Sequence, residues 1–129
     1  MYKGFAEASP EGYAAKEFDK LAPSPGVDWQ GRPEDWPELA VRHGWRVETV
    51  PTAAKTGAII IAVDRTGRAL VGIIRAVNDT GICFETLGQH KQSMQKTVEY
   101  QSIKDGYKLI GYIWPEHASP GMRLVISPE

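Results

Sequence analysis

The sequence predicts a single α+β domain, in which two N-terminal helices pack on an antiparallel sheet of about five or six strands. The first third of the chain carries a helix-start signal and an apolar stripe. From Trp45 onward, branched and aromatic residues form short runs separated by turns that end in glycine, a pattern typical of consecutive antiparallel strands. The 129 residues suffice for one domain, and we expect residues 1–9 and 117–129 to be peripheral tails.

Two helices are predicted. Ser9 is followed by a proline, and this pair is favoured at a helix start because serine caps the N-terminus and proline fits the first turn. The first helix is expected over 10–21. The second is expected over 35–43, where Asp35 and Glu38 have capping-box spacing. The stripe of the first helix comprises Tyr13, Ala14, Ala15, Phe18 and Leu21.

The rest of the chain reads as strands. The run 58–64 is continuously apolar and branched, as expected for a strand buried on both faces. A Lys-Asp-Gly tripeptide ending at Gly106 predicts a hairpin turn. The predicted strands are 45–50, 58–64, 68–78, 82–87, 96–103 and 107–114, and 122–127 is either an additional edge strand or a surface segment. The predicted core comprises Phe18, Leu21, Leu39, Ile60, Val71, Ile73, Phe84, Ile110 and Ile113.

The charge balance and the single cysteine exclude several function classes. Fifteen basic against sixteen acidic residues give a net charge of -1, so the excess of cations that nucleic-acid binding requires is missing. One cysteine forms neither a disulfide framework nor a cysteine-based zinc cluster. No apolar run approaches the roughly 20 residues of a membrane span, so no membrane insertion is expected. Without an apolar leader segment, a cytoplasmic or virion-associated location is favoured over secretion.

No cofactor and no metal site are predicted. His43, His90 and His117 are scattered along the chain without the spacing of metal ligands. The glycine-rich motifs of nucleotide-binding loops and the G-x-S-x-G motif of serine hydrolases do not occur.

Five segments, taken in order, match the pattern of a known family. They are 31–45 (GRPEDWPELAVRHGW), 50–59 (VPTAAKTGAI), 69–74 (ALVGII), 82–87 (ICFETL) and 109–115 (LIGYIWP). Together they resemble the CHAP domain, a cysteine- and histidine-dependent amidohydrolase and peptidase module related to the papain-like NlpC/P60 enzymes. The resemblance extends from Tyr13 to about Glu116 and implies a papain-like fold and an origin in bacterial or phage cell-wall systems.

The resemblance also implies where catalytic residues would lie. The family's nucleophilic cysteine corresponds to Ala15, with Tyr13 and Ala14 as alternatives, and its general-base histidine corresponds to Leu70. Of the family's Glu-x-Asn pair, Glu85 is kept and the asparagine is replaced by Leu87. We expect these positions to converge in a closed, apolar cluster around Glu85. Without a nucleophile and an imidazole, acyl transfer by the family's route is excluded.

Cys83 and His90 are the remaining groups that bear on catalysis. Strand alternation places Cys83 on the same face as Glu85. Cys83 is therefore either a displaced nucleophile or, as is usual for a buried cysteine, a small apolar residue that fills space in the core. His90 lies five residues after Glu85, close enough for a hydrogen bond across a bend. Alternatively, Glu85 holds a neighbouring loop through backbone N–H groups.

The binding residues predicted from the sequence are Trp29, Trp36 and His90. Trp29 lies in a loop rich in proline and glycine and is the candidate for an exposed aromatic anchor. Trp36 is at a family motif position and is expected in the core or the cleft wall. His90 belongs to the polar segment 89–96, a solvated loop or a contact surface for an acidic partner.

The sequence therefore favours a non-catalytic binding or structural module over an enzyme. Its expected partner is a protein or a peptidoglycan fragment, in a virion component or a wall-associated pseudoenzyme, and self-association stays open. Two alternatives remain: an active peptidoglycan amidase or endopeptidase with an unrecognised nucleophile, and an immunity or regulatory protein that binds an active relative.

Overall fold

The structure is a computed structural model that describes residues 2–88 and 92–118. The helices are α1 (Pro10–Asp19), α2 (Trp36–Arg42) and α3 (Tyr100–Gly106), and a 3-10 turn, Pro33–Asp35, leads into α2. The strands are β1 (Trp45–Glu48), β2 (Ile59–Asp64), β3 (Ala69–Val77), β4 (Gly81–Leu87), β5 (Ser93–Glu99) and β6 (Tyr107–His117). The predicted strand at 122–127 lies outside the described residues.

The six strands form one sheet in the order β1-β6-β2-β3-β4-β5. Neighbouring strands of this sheet are antiparallel throughout. The α+β class and the antiparallel sheet predicted from the sequence are therefore confirmed. Every element between 57 and 87 is a strand, as the apolar runs and glycine turns predicted.

The first two helices form where their start signals lie, with shifted ends. The Ser9 hydroxyl accepts a hydrogen bond from the Gly12 N–H at 3.0 Å, which caps α1. Because α1 ends at Asp19, Leu21 leaves the helical stripe, and it is 58% exposed instead of buried. The predicted capping box of α2 is absent, since the Asp35 side chain makes no cap hydrogen bond.

The predicted hairpin at Gly106 is wrong, because residues 100–106 form helix α3. Alternating antiparallel pairing across the sheet makes β5 and β6 run in the same direction, with β4, β3 and β2 lying between them. Parallel strands need a crossover connection and cannot be joined by a tight turn. Helix α3 supplies that crossover and packs against β4, β5 and β6.

The sheet is buried on both faces, because alternate residues of its central strand are apolar on each side. Ile59 and Ile61 face α1 and α2, whereas Ala58 and Ile60 face α3. We call these sides the α1 face and the α3 face. Six predicted core residues are buried and two are partly buried. The buried ones are Phe18, Ile60, Val71, Ile73, Phe84 and Ile113, and the partly buried ones are Leu39 and Ile110.

The segment 2–9 is anchored to the α1 face, although the sequence predicted a peripheral tail. The Tyr2 hydroxyl donates a hydrogen bond to Asp19, and the Lys3 ammonium lies 2.8 Å from the same carboxylate. The Phe5 ring packs 5.1 Å from the ring of Trp36. These contacts hold the segment that leads into α1.

Among residues 2–88 and 92–118, the helices are too short or too polar to span a membrane.

Candidate functional site

The position that the resemblance assigns to the nucleophile is buried in the core. Ala15 is 0% exposed, and its methyl group belongs to the apolar cluster of the α1 face. Ala14, an alternative for this position, is also 0% exposed. The third alternative, Tyr13, is half-buried and presents a hydroxyl group toward β4. Of the three, Tyr13 alone carries a polar side chain into this region.

The four positions implied by the resemblance do not converge. Leu70 packs with the cluster of the α3 face, on the opposite side of the sheet from Ala15. The reason is the two-residue period of β3, in which Val71 and Ile73 turn toward α1. The same alternation places Leu87 on the side of Glu85, two residues away on β4.

The structure joins Glu85 to α1 and β3 through a polar network. The Tyr13 hydroxyl donates to Glu85 Oε1 at 2.6 Å. The Arg75 guanidinium donates to the same oxygen from Nε at 2.9 Å and from Nη2 at 2.8 Å. Arg75 Nη2 also donates to Glu17 Oε1 at 2.5 Å, and the Lys20 ammonium lies 2.7 Å from Glu17 Oε2. Glu85 is thus the centre of a cluster with polar members, whereas the sequence predicted an apolar surround.

The network is balanced in charge, and its charged members other than the exposed Lys20 are largely shielded from solvent. Two carboxylates face two cations, and the side chains of Glu85, Glu17 and Arg75 are 14%, 12% and 31% exposed. Hydrogen bonds from Tyr13 and then from Arg75 hold the pKa of Glu85 below its ordinary value, against the opposing effect of burial. Burial raises the pKa of Glu17, but hydrogen bonds from Lys20 and Arg75 outweigh it, so that this pKa is lowered. Both groups are therefore carboxylates at neutral pH.

This arrangement binds one helix to two strands and leaves little capacity for acid–base chemistry. Three donors saturate Glu85 Oε1. A general base needs a pKa close to the working pH, and the pKa of Glu85 is shifted away from it. The partners of Glu85 are side chains, so the expected bonds to the backbone of a loop are replaced by ties to α1 and β3.

Cys83 shares the α1 face with Glu85, as the strand alternation predicted, and is half-buried. Within the described residues, the two histidines lie elsewhere. His43 Nδ1 is 3.3 Å from Asp28, and the His117 ring packs 4.3 Å from the Trp45 ring. Three strand spacings of about 4.8 Å separate β6 from β4, or about 14 Å, which exceeds the reach of an imidazole. His90 lies outside the described residues.

The two tryptophans predicted to bind a partner are buried. Trp29 is 2% exposed, so the predicted surface anchor is wrong, whereas Trp36 is 0% exposed and lies in the core, one of the two places expected for it. Trp29 packs edge-on against three aromatic rings, whose centroids lie 5.8 to 6.1 Å from the centroid of its own ring. Edge-on packing is a preferred arrangement of aromatic rings in protein cores. The rings are those of Phe18, Trp36 and Trp45.

A groove on the α3 face was not predicted from the sequence. One open concavity of about 390 Å³ adjoins another of about 380 Å³, and both are lined by Thr52 and Tyr100. The first is also lined by Val77, Asn78 and Asp79, and the second by Pro51, Gln101 and Lys104. Within residues 2–88 and 92–118, no three His, Cys, Asp or Glu side chains are grouped so that they could hold a metal ion.

Comparisons with known proteins bear on the fold. No family model matches the chain, and a search of curated proteins finds no match. A solved structure described as "The crystal structure of Ly7917" is similar, with a TM-score of 0.50 and 17% identity. The similarity covers 73% of this chain but 42% of that one, so this chain spans less than half the length of its structural neighbour. The two share a fold.

Proposed function

We propose that this chain is a non-catalytic binding or structural module of a bacterial or phage system, built on a CHAP-like, papain-like scaffold. The observation that carries the proposal is the network around Glu85. The one carboxylate kept at a catalytic position of the resemblance is bound by Arg75 and Tyr13. Ala15, the position that the resemblance assigns to the nucleophile, is buried, with Tyr13 and Ala14 as the alternative positions.

Loss of catalytic polar groups from a cleft is expected to stabilise the fold while it ends catalysis. Polar groups held ready for catalysis in a cleft lack partners and therefore destabilise the fold. In this chain an apolar residue fills the position of the nucleophile, and the retained carboxylate is neutralised by a guanidinium group. Helix α1 is thereby tied to β3 and β4, and a surface ordered before binding lowers the entropic cost of binding a partner.

The proposal is tested with purified bacterial peptidoglycan as the probe. Wild-type protein and a Cys83→Ser variant are incubated with it, and released amino groups and reducing sugars are measured beside a blank and an active wall hydrolase. We expect both proteins to match the blank, with and without iodoacetamide. Release that is lost on alkylation or in Cys83→Ser would overturn the proposal in favour of an active amidase or endopeptidase.

Binding is measured on the same material by cosedimentation. Retention of the intact protein on peptidoglycan identifies a wall ligand, and its absence directs the search to a protein partner.

A further inference from the structure

We propose that the groove on the α3 face is a binding site for a short peptide that carries a cation at one end and a carboxylate at the other. This inference rests on the proposed function, because it supplies the contact surface that a binding module needs. It uses residues on the opposite side of the sheet from Glu85.

The walls of the groove are fixed in place by aromatic hydrogen-bond donors. The Tyr112 hydroxyl, buried below the loop at 51–53, donates to the Pro51 carbonyl at 2.7 Å. Trp114 Nε1 donates to the Ala53 carbonyl at 3.0 Å. On the other side, the Tyr100 hydroxyl donates to the Asn78 carbonyl at 3.1 Å. A ligand therefore meets walls that are already ordered, which reduces the entropy lost on binding.

The charged groups that line the groove are opposite in sign and lie at different ends. Asp79 lines the concavity beside the N-terminal end of α3. Lys104 lines the second concavity, which lies along α3. Within the described residues, neither side chain makes a hydrogen bond or an ion pair with the protein. By contrast, Lys55 near the same loop is paired with Glu116 at 2.8 Å. Two unneutralised charges of opposite sign fit a ligand with the complementary pair.

The polar groups between the charges suit peptide amides. Asn78 Oδ1 already accepts bonds from the Thr80 hydroxyl and from the N–H groups of Thr80 and Gly81, so its NH₂ group is left to donate. Thr52 presents an exposed hydroxyl where the two concavities meet. Pro51 and Val77 add apolar surface for side chains.

The dimensions fit an extended segment of a few residues. Lys104 lies one helical turn beyond Tyr100, about 6 Å along the axis, and the concavity at Asp79 extends the groove past Tyr100. An extended peptide advances about 3.3 Å per residue, so about two residues span the turn from Tyr100 to Lys104 and further residues extend past Tyr100 toward Asp79. The volume of each concavity lies within the range of about 300–1,000 Å³ that is typical of ligand pockets. Both concavities are open to solvent, so a linear ligand can lie across the two.

The probe is the peptide acetyl-Lys-Ala-Val-Glu-amide, titrated into ¹⁵N-labelled full-length protein and followed by NMR. We expect chemical-shift changes at 51–52, 77–79 and 100–104. Asp79→Asn and Lys104→Gln should each weaken binding by about 2- to 5-fold, the effect of one solvent-exposed ion pair. Lys108→Gln, a change of the same kind on β6 outside the groove, should leave the affinity unchanged.

A charge reversal gives a readout that a merely structural role would not move. In Asp79→Lys, preference should switch from the Lys-Ala-Val-Glu probe to acetyl-Glu-Ala-Val-Glu-amide. Binding to neither probe, equal affinity for acetyl-Gln-Ala-Val-Gln-amide, or shifts confined to the α1 face would each overturn the inference. The failure of the proposed function is a different result, the thiol-dependent release of wall fragments, so the two outcomes are distinguishable.

Discussion

Replacing Glu85 by glutamine tests whether the polar network is structural. The variant keeps the shape of the side chain and one carbonyl oxygen but removes the charge that accepts from Arg75 and Tyr13. A hydrogen bond to a charged group contributes about 1.5–3 kcal/mol, and the partial exposure of Arg75 reduces this through solvent screening. Arg75 also keeps Glu17 as a partner. We therefore expect the free energy of unfolding to fall by about 1–2 kcal/mol.

The assay is urea unfolding of a double-mutant cycle. Glu85→Gln, Arg75→Met and the double variant are compared at neutral pH, with Glu34→Gln as the matched control. Residues in direct contact show coupling of about 0.5–3 kcal/mol, and we expect about 1 kcal/mol for this half-buried pair. Additive effects, with coupling near zero, would refute the idea that the Arg75–Glu85 pair stabilises the fold. Unchanged stability of Glu85→Gln would refute it as well.

Three further substitutions test the packing. Trp29→Ala should cost about 3–5 kcal/mol and lower Tm sharply, because it opens a cavity among aromatic rings, and an unchanged Tm in a thermal melt would contradict the burial of Trp29. Gly81→Ala should destabilise β4–β5 pairing in urea unfolding, since a Cβ there would lie 2.2 Å from the Val98 carbonyl oxygen. Gly106→Ala, with nothing within 4 Å of a Cβ, is its control, and equal effects would contradict this reasoning. Tyr112→Phe should cost about 1–2 kcal/mol by leaving the Pro51 carbonyl without its donor, and an unchanged urea midpoint would contradict it.

The sequence predicted the central sheet well because its signals there are local. Branched runs define β2, β3 and β4, and the glycine turns at 65–67 and 79–81 fix their antiparallel order. Helix α3 was missed because the pairing of β5 and β6 depends on which strands are neighbours in the sheet. That choice is made by tertiary packing, and a Lys-Asp-Gly sequence also suits the end of a helix.

The site was only partly predictable for a related reason. Glu85 was identified from a resemblance, but its main partner, Arg75, was not. A signal was nevertheless present, since Arg75 is the one charged residue within 69–77, and the hairpin between β3 and β4 brings it near Glu85. Trp29 shows the opposite error. A loop rich in proline and glycine predicts exposure, yet the surrounding rings bury the indole.

The pKa of Glu85 links the network to the pH dependence of stability. A carboxyl group whose folded pKa is lowered binds fewer protons in the folded state than in the unfolded state. Its stabilising contribution is therefore complete above the unfolded value, near 4.5, and is lost as the pH falls through the folded value. The stability difference between wild type and Glu85→Gln should accordingly shrink below about pH 4.5.

The role of Glu85 is measured most directly by a ¹³C NMR titration of its side-chain carboxyl in the full-length protein, assigned with Glu85→Gln. A carboxylate held by Arg75 and Tyr13 does not serve as an acid or base. We expect a pKa below the ordinary glutamate value of 4.5 and a rise toward that value in Arg75→Met. A pKa above 4.5, unmoved by the removal of Arg75, would contradict it and would point to a carboxyl poised for proton transfer.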